Sequence, residues 1–261
     1  MRLFILRKQT LVLIGIVILT ALAAVALLIV RSDSLMVLEV TTPAEDSEDI
    51  PIYAVETDEK RVALTFDATW GAEYTDKLLE TLGKHDVKAT FFLTNIWMKD
   101  YPEKTKSIWA AGHEIGLHSA NHKDFKTLSE DEMVEELQEN KDLIKSLCSE
   151  AEPTLFRPPF GSYDDRLMSV SQEELNLQVI QWSIDSLDWR EVNSDYVYNR
   201  VITLLHPGAI ILFHNNAQPT AEALDDIVTY LAENEYKMIP VSELLHPEPY
   251  KVDHRGLQIP E

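Results

Sequence analysis

Arg61-Val62-Ala63-Leu64-Thr65-Phe66-Asp67 is the stretch whose reading decides the fold. Val62–Phe66 is an apolar run of strand length, and Asp67 ends it with a carboxylate at what would be the top of a sheet. From Arg61 onward, runs of this kind alternate with amphipathic patterns. Strands are expected at Val62–Phe66, Ala89–Thr94, Glu114–His118, Leu155–Arg157, Gln178–Ile184, Ala209–Phe213 and Lys237–Pro240. Helices are expected near 73–84, 102–111, 129–147, 164–174, 194–205 and 219–234, with Ser129 and Glu132 as a capping box for the longest. Regular alternation predicts an α/β fold with parallel pairing, either an open sheet or a (β/α) barrel. Both architectures place ligands at the C-terminal ends of strands.

Residues 11–30 run from Leu11 to Val30 without a charge. At 1.5 Å per residue such a run spans about 30 Å, the thickness of a bilayer core. Ala21-Leu22-Ala23 and Ala24-Val25-Ala26 offer small-residue cleavage patterns, but the run outlasts the ~7–15 residues of a signal-peptide core. Residues 1–31 are therefore expected to be an uncleaved transmembrane anchor, with secretion the outcome if the segment is cut. Arg2, Arg7 and Lys8 outweigh Arg31, which places the rest of the chain outside the cytoplasm. Residues 32–50 read as an acidic linker, 51–245 as the folded domain and 246–261 as a C-terminal tail.

The net charge is −21, and residues 1–31 hold four cations and no acid, so the remainder carries −25. A field of that sign excludes nucleic acid as a partner bound through bulk electrostatics. Cys148 is the only cysteine, so no intramolecular disulfide forms and no cysteine cluster holds a metal.

Five short motifs each follow an expected strand: Thr65-Phe66-Asp67, His118-Ser119-Ala120-Asn121-His122, Arg157-Pro158-Pro159-Phe160, Asp185-Ser186-Leu187-Asp188-Trp189 and Leu212-Phe213-His214. They supply two imidazoles at metal-ligand spacing, a lone carboxylate, an arginine, and a second carboxylate able to orient a third histidine. That inventory suits metal-assisted hydrolysis. The histidine pair alone is weak evidence in a chain with eight histidines, and two ligands do not complete a zinc site. The charges around Glu130–Lys145 read as a solvated helix face.

In this order and spacing the motifs resemble the polysaccharide deacetylase (NodB-homology) family, carbohydrate esterase family four, over roughly residues 52–245. Pro51-Ile52-Tyr53 through Trp70-Gly71 looks most like its sporulation-associated, PdaB-type branch. The resemblance implies a distorted, incomplete (β/α) barrel. It implies a divalent metal, zinc first, on His118 and His122, with Ser119 and Asn121 supporting them. It makes Asp67 the general base, Arg157 its ion-pair partner, His214 the general acid and Asp188 the residue orienting His214. Asp185 is the weaker match. The Phe160 N–H becomes the oxyanion donor, and Trp189 and Leu212 the apolar floor for an acetyl methyl. The implied substrate is an N-acetylated glycan polymer outside the cytoplasm, peptidoglycan or spore cortex before chitin. One departure stands out: Ala68 occupies the place of the family's third protein ligand. It favours a rival reading, a catalytically weak or inactive glycan-binding protein of the same fold.

Overall fold

A computed structural model of the chain describes residues 49–261. The apolar run at 11–30 and most of the acidic linker lie outside the described residues. Among the described residues no helix is long and apolar enough to cross a membrane.

The described chain runs β1 (Ala54–Val55), β2 (Arg61–Ala68), α1 (Thr75–Lys84), β3 (Thr90–Leu93), α2 (Asn95–Asp100), α3 (Pro102–Ala110), β4 (Glu114–Leu117) and α4 (Glu130–Leu147). It continues with β5 (Leu155–Phe156), α5 (Asp165–Ser169), β6 (Gln178–Val179), β7 (Ile184–Asp185), α6 (Ser194–Leu204), β8 (Ile210–His214) and α7 (Gln218–Glu233). It ends with β9 (Lys237–Met238), α8 (Val241–Leu244), β10 (Tyr250–Val252) and β11 (Leu257–Pro260).

An eight-stranded parallel sheet in the order β6-β5-β4-β3-β2-β8-β7, with β9 also on β2, curls into a half-barrel. The sheet is parallel because a helical crossover joins most successive strands. β2 lies centrally, with Val62, Leu64, Phe66 and Ala68 in the apolar layer that also takes in the buried faces of α1, α4 and α7. Strand alternation turns Ala63, Thr65 and Asp67 the other way, into the barrel.

No pairing joins β6 to β7 among the described residues. The segment before β2 fills the seam: the Ile52 N–H donates to the Val179 carbonyl (2.9 Å), and the Gln181 N–H to the Ile52 carbonyl (2.8 Å).

Two expectations need correction. Gln178–Ile184 is not one strand but two short ones, because Gln181 turns its backbone groups to Ile52 and Arg157 instead of the ladder. Residues 246–261, expected as a tail, contain β10 and β11, and β11 pairs with β1. The capping box at Ser129 and Glu132 forms.

Candidate active site

Asp67 stands on the inward face of β2 and is 6% exposed. Its Oδ1 accepts a hydrogen bond from Arg157 Nη1 at 2.8 Å. That Nη1 also donates to Thr65 Oγ1 (2.8 Å), and Nη2 to the Gln181 carbonyl (3.0 Å). Arg157 is fully buried, with its guanidinium 4.2 Å from the Phe92 ring centroid. Gly116, across the ladder from Phe92, makes room for that ring, since a Cβ there would come within 2.6 Å of it. Burial disfavours ionised Asp67, but the charges of Arg157, His118 and His214 and the Arg157 hydrogen bond outweigh it. The carboxyl is held below its ordinary range.

His118 follows β4, with Nε2 3.6 Å from Asp67 Oδ2. Its Nδ1 is hydrogen-bonded to the Arg157 carbonyl at 2.8 Å, which leaves Nε2 as the free nitrogen. Its backbone N–H donates to Asn140 Oδ1 at 2.9 Å. His122 lies one loop further on, the two rings 5.1 Å apart between centroids. Burial, reinforced by the neighbouring His118, pushes His122 down to about 4, and burial likewise lowers His118. Both imidazoles are therefore neutral near pH 7, as metal ligands must be.

On β8, paired in register with Asp67, stands His214. Its Nδ1 is hydrogen-bonded to Asp188 Oδ1 (2.7 Å), while Asp188 Oδ2 accepts from the His214 N–H (2.8 Å) and from Thr220 Oγ1 (2.5 Å). Burial works against the protonated ring, but the bond to Asp188 and the carboxylates of Asp188, Asp67 and Asp185 raise its pKa overall. Asp185 does not bond His214; its Oδ1 accepts from the Leu187 N–H, and burial raises its pKa. Leu212 is buried two residues before His214, whereas Trp189 (57%) and Phe160 (67%) are exposed. Ser119, His122, Phe160 and Leu187 all take left-handed backbone conformations, a concentration of local strain in the loops that carry the site.

Two residues on the buried face of α4 were not foreseen. Glu136 accepts from the Asn121 N–H (2.8 Å), Asn121 Nδ2 (2.9 Å) and Lys123 Nζ (2.8 Å). Asn140 holds the His118 backbone and donates to the Leu93 carbonyl (3.0 Å). The helix is therefore not simply solvated across Glu130–Lys145, because Glu136 is 3% exposed. The signal lay in the spacing: Glu136 and Asn140 share a face with Met133, Leu137 and Ile144.

The polysaccharide deacetylase profile matches residues 54–180. The peptidoglycan-N-acetylmuramic acid deacetylase PdaA of Bacillus subtilis (strain 168) is 34% identical over 196 residues, 74% of each chain. This chain belongs to the polysaccharide deacetylase (NodB-homology) family, carbohydrate esterase family four. The family is one of hydrolases of N-acetyl amides. The uncharacterized protein YlxY of the same B. subtilis strain is 35% identical over 195 residues, 75% of this chain but only 60% of that protein. The crystal structure of wild-type BA3943 from Bacillus anthracis, a CE4 family pseudoenzyme, matches at TM-score 0.72 and 39% identity, over 77% of this chain and 70% of that one. A BA3943 mutant with restored enzymatic activity matches at TM-score 0.72 and 40% identity, over 77% and 72%.

Deacetylases of this family are generally metal-dependent, and the residues here match a metal in part. His118 and His122 fit: one presents a free Nε2, the other has a buried Nδ1 without a partner. The third donor is missing. Among the described residues no set of three or more His, Cys, Asp or Glu side chains is arranged to hold an ion. Ala68 is fully buried at the last position of β2, in the apolar layer with Phe66.

Proposed function

We propose that this chain removes N-acetyl groups from the amino sugars of peptidoglycan, releasing acetate and a free amine. The observation that carries the reading is the pairing of two oppositely poised groups across adjacent strands. Asp67 is kept ionised by Arg157, and His214 is kept protonatable by Asp188. A base and an acid pushed apart in pKa at one strand-end cleft are what amide hydrolysis needs.

In this reading Asp67 takes a proton from the attacking water, and His214, through Nε2, gives one to the departing sugar nitrogen. The Phe160 N–H donates to the oxyanion. Leu212 and Trp189 receive the acetyl methyl. A divalent metal, zinc first, held by His118 and His122, would supply positive charge to polarise the amide carbonyl. The uncharged run at 11–30 behind a basic N-terminus supports an extracytoplasmic domain on a membrane anchor. The test is acetate release from peptidoglycan and from N-acetylglucosamine oligomers across several divalent metals, wild type against Asp67→Asn. Release by the wild type and loss of at least about a hundredfold in the variant is the expected result. Equal release from both would remove Asp67 from the chemistry.

Ala68 and the likeness to a pseudoenzyme favour a second reading, a glycan-binding protein that has lost turnover. Saturable binding of the same oligomers without acetate release at any metal would select it.

A further inference from the structure

The two histidines of the site are held in unlike ways. His118 has a polar tether on its ring, the 2.8 Å bond from Nδ1 to the Arg157 carbonyl. The His122 ring has no such tether to another residue: Nδ1 is buried without a partner there, and the 2.9 Å bond to Ser119 Oγ holds only the backbone N–H. Aromatic edges surround the ring instead. Trp70 lies 5.0 Å away between centroids at 64°, and Phe160 4.6 Å away at 72°. Edge-to-face packing of this kind is directional, so it can set a ring's angle and not merely bury it.

Trp70 is itself well placed for the task. It leads into Gly71, whose carbonyl accepts from Trp97 Nε1 (2.6 Å) and Asn215 Nδ2 (2.9 Å). Gly71 sits at φ +65, a conformation that glycine adopts without strain. The turn is thus pinned from two sides while the indole remains 60% exposed. An exposed tryptophan adds little to the core, so its place against His122 calls for another account.

We propose that Trp70 is a positioning residue for His122: with Phe160 it fixes the imidazole by packing, as the Arg157 carbonyl fixes His118 by hydrogen bonding. The proposal rests on His122 being a working ligand, and its test keeps the two claims separate.

The first arm uses metal-free protein. Imidazole carbon relaxation by NMR is compared for wild type, Trp70→Phe and Trp70→Ala, with His118 as internal reference. The expected result is a mobile His122 ring in Trp70→Ala alone, with His118 unchanged and Trp70→Phe resembling wild type. The second arm titrates zinc chloride. Trp70→Ala should bind about three- to tenfold more weakly, the scale of one lost aromatic pair, and the loss should vanish in a His122→Ala background. A His122 ring as ordered in Trp70→Ala as in wild type overturns the proposal. So does equal loosening of His118, or a Trp70→Phe ring as mobile as that of Trp70→Ala. If wild type takes up no zinc, the metal reading fails, and the relaxation arm alone decides the role of Trp70.

Discussion

Replacing Arg157 with methionine should destabilise the domain by an amount that grows with pH. In the wild type, Asp67 has a depressed folded pKa. Its stabilising contribution is therefore present above the ordinary carboxylate value near 3.9 and is lost as pH falls through the folded one. Arg157→Met removes a fully buried guanidinium with its bonds to Asp67, Thr65 and Gln181 and its stacking on Phe92. Burial, the largest influence on Asp67, then acts with less opposition. The carboxyl, coupled to His118 3.6 Å away, should keep one proton at neutral pH, shared across the pair. Full burial can raise a carboxyl by up to about 3–5 units, so the variant's native state should carry one proton more than the wild type through pH 5–7.

Protonation of the unfolded chain cancels in the comparison. The difference in stability should widen by about 1.4 kcal/mol per pH unit, roughly 2.7 kcal/mol between pH 5 and pH 7. At pH 7 the total should reach about 3–5 kcal/mol, the scale of a buried ion pair broken on one side. Urea unfolding of chelator-treated wild type and variant at pH 5, 6 and 7 measures it. A pH-independent difference would refute the argument, because Asp67 would then carry the same charge with and without Arg157.

Asp188→Asn should move the alkaline limb of activity to lower pH, because the raised pKa of His214 depends on that carboxylate. An unmoved limb in a pH–rate profile would disqualify His214 as the acid. Ala68→Asp should lower stability in chelator, since it sets a carboxylate at a fully buried position. Its zinc affinity should stay within about threefold of wild type, because position 68 sits beside Phe66 and is turned away from Asp67; a tightening of about tenfold or more would mean that the carboxylate reaches the metal. Asn140→Ala should weaken zinc binding by about tenfold, by freeing the backbone of His118 from α4. Affinity equal to wild type would leave Asn140 with a packing role alone.

The parts of the fold read most easily from sequence were those with a strong period. β2, β3, β4 and β8 lie within about two residues of the expected runs, and α4 begins at its capping box. Their apolar faces are long enough to register above chance. Helix α2 went unseen because six residues make under two turns, too few for a periodicity. Strands β10 and β11 are short, and the pairing of β11 with β1 brings together segments some 200 residues apart, which no local pattern reports. The same division runs through the site. Asp67, His118, Arg157, Asp188 and His214 are visible as motifs, and the structure brings them together. Glu136 and Asn140 lie in a helix whose other charges do face water, so composition concealed them. The direction of Ala68 was equally hidden, because only the observed alternation of β2 sets it beside Phe66 and away from Asp67.

The filled seam also has a mechanical consequence. Tension applied through the chain ahead of Pro51 is borne first by the hydrogen bonds of Ile52 to Val179 and Gln181. Parallel pairing at Ile52 and Ile180 loads these bonds in shear, the direction in which neighbouring strand contacts resist together. Gln181, which holds the Ile52 carbonyl through its N–H, gives its own carbonyl to the Arg157 guanidinium. A pull on this chain is thus delivered to core residue Ile52 and to Gln181, whose carbonyl holds the guanidinium that clasps Asp67.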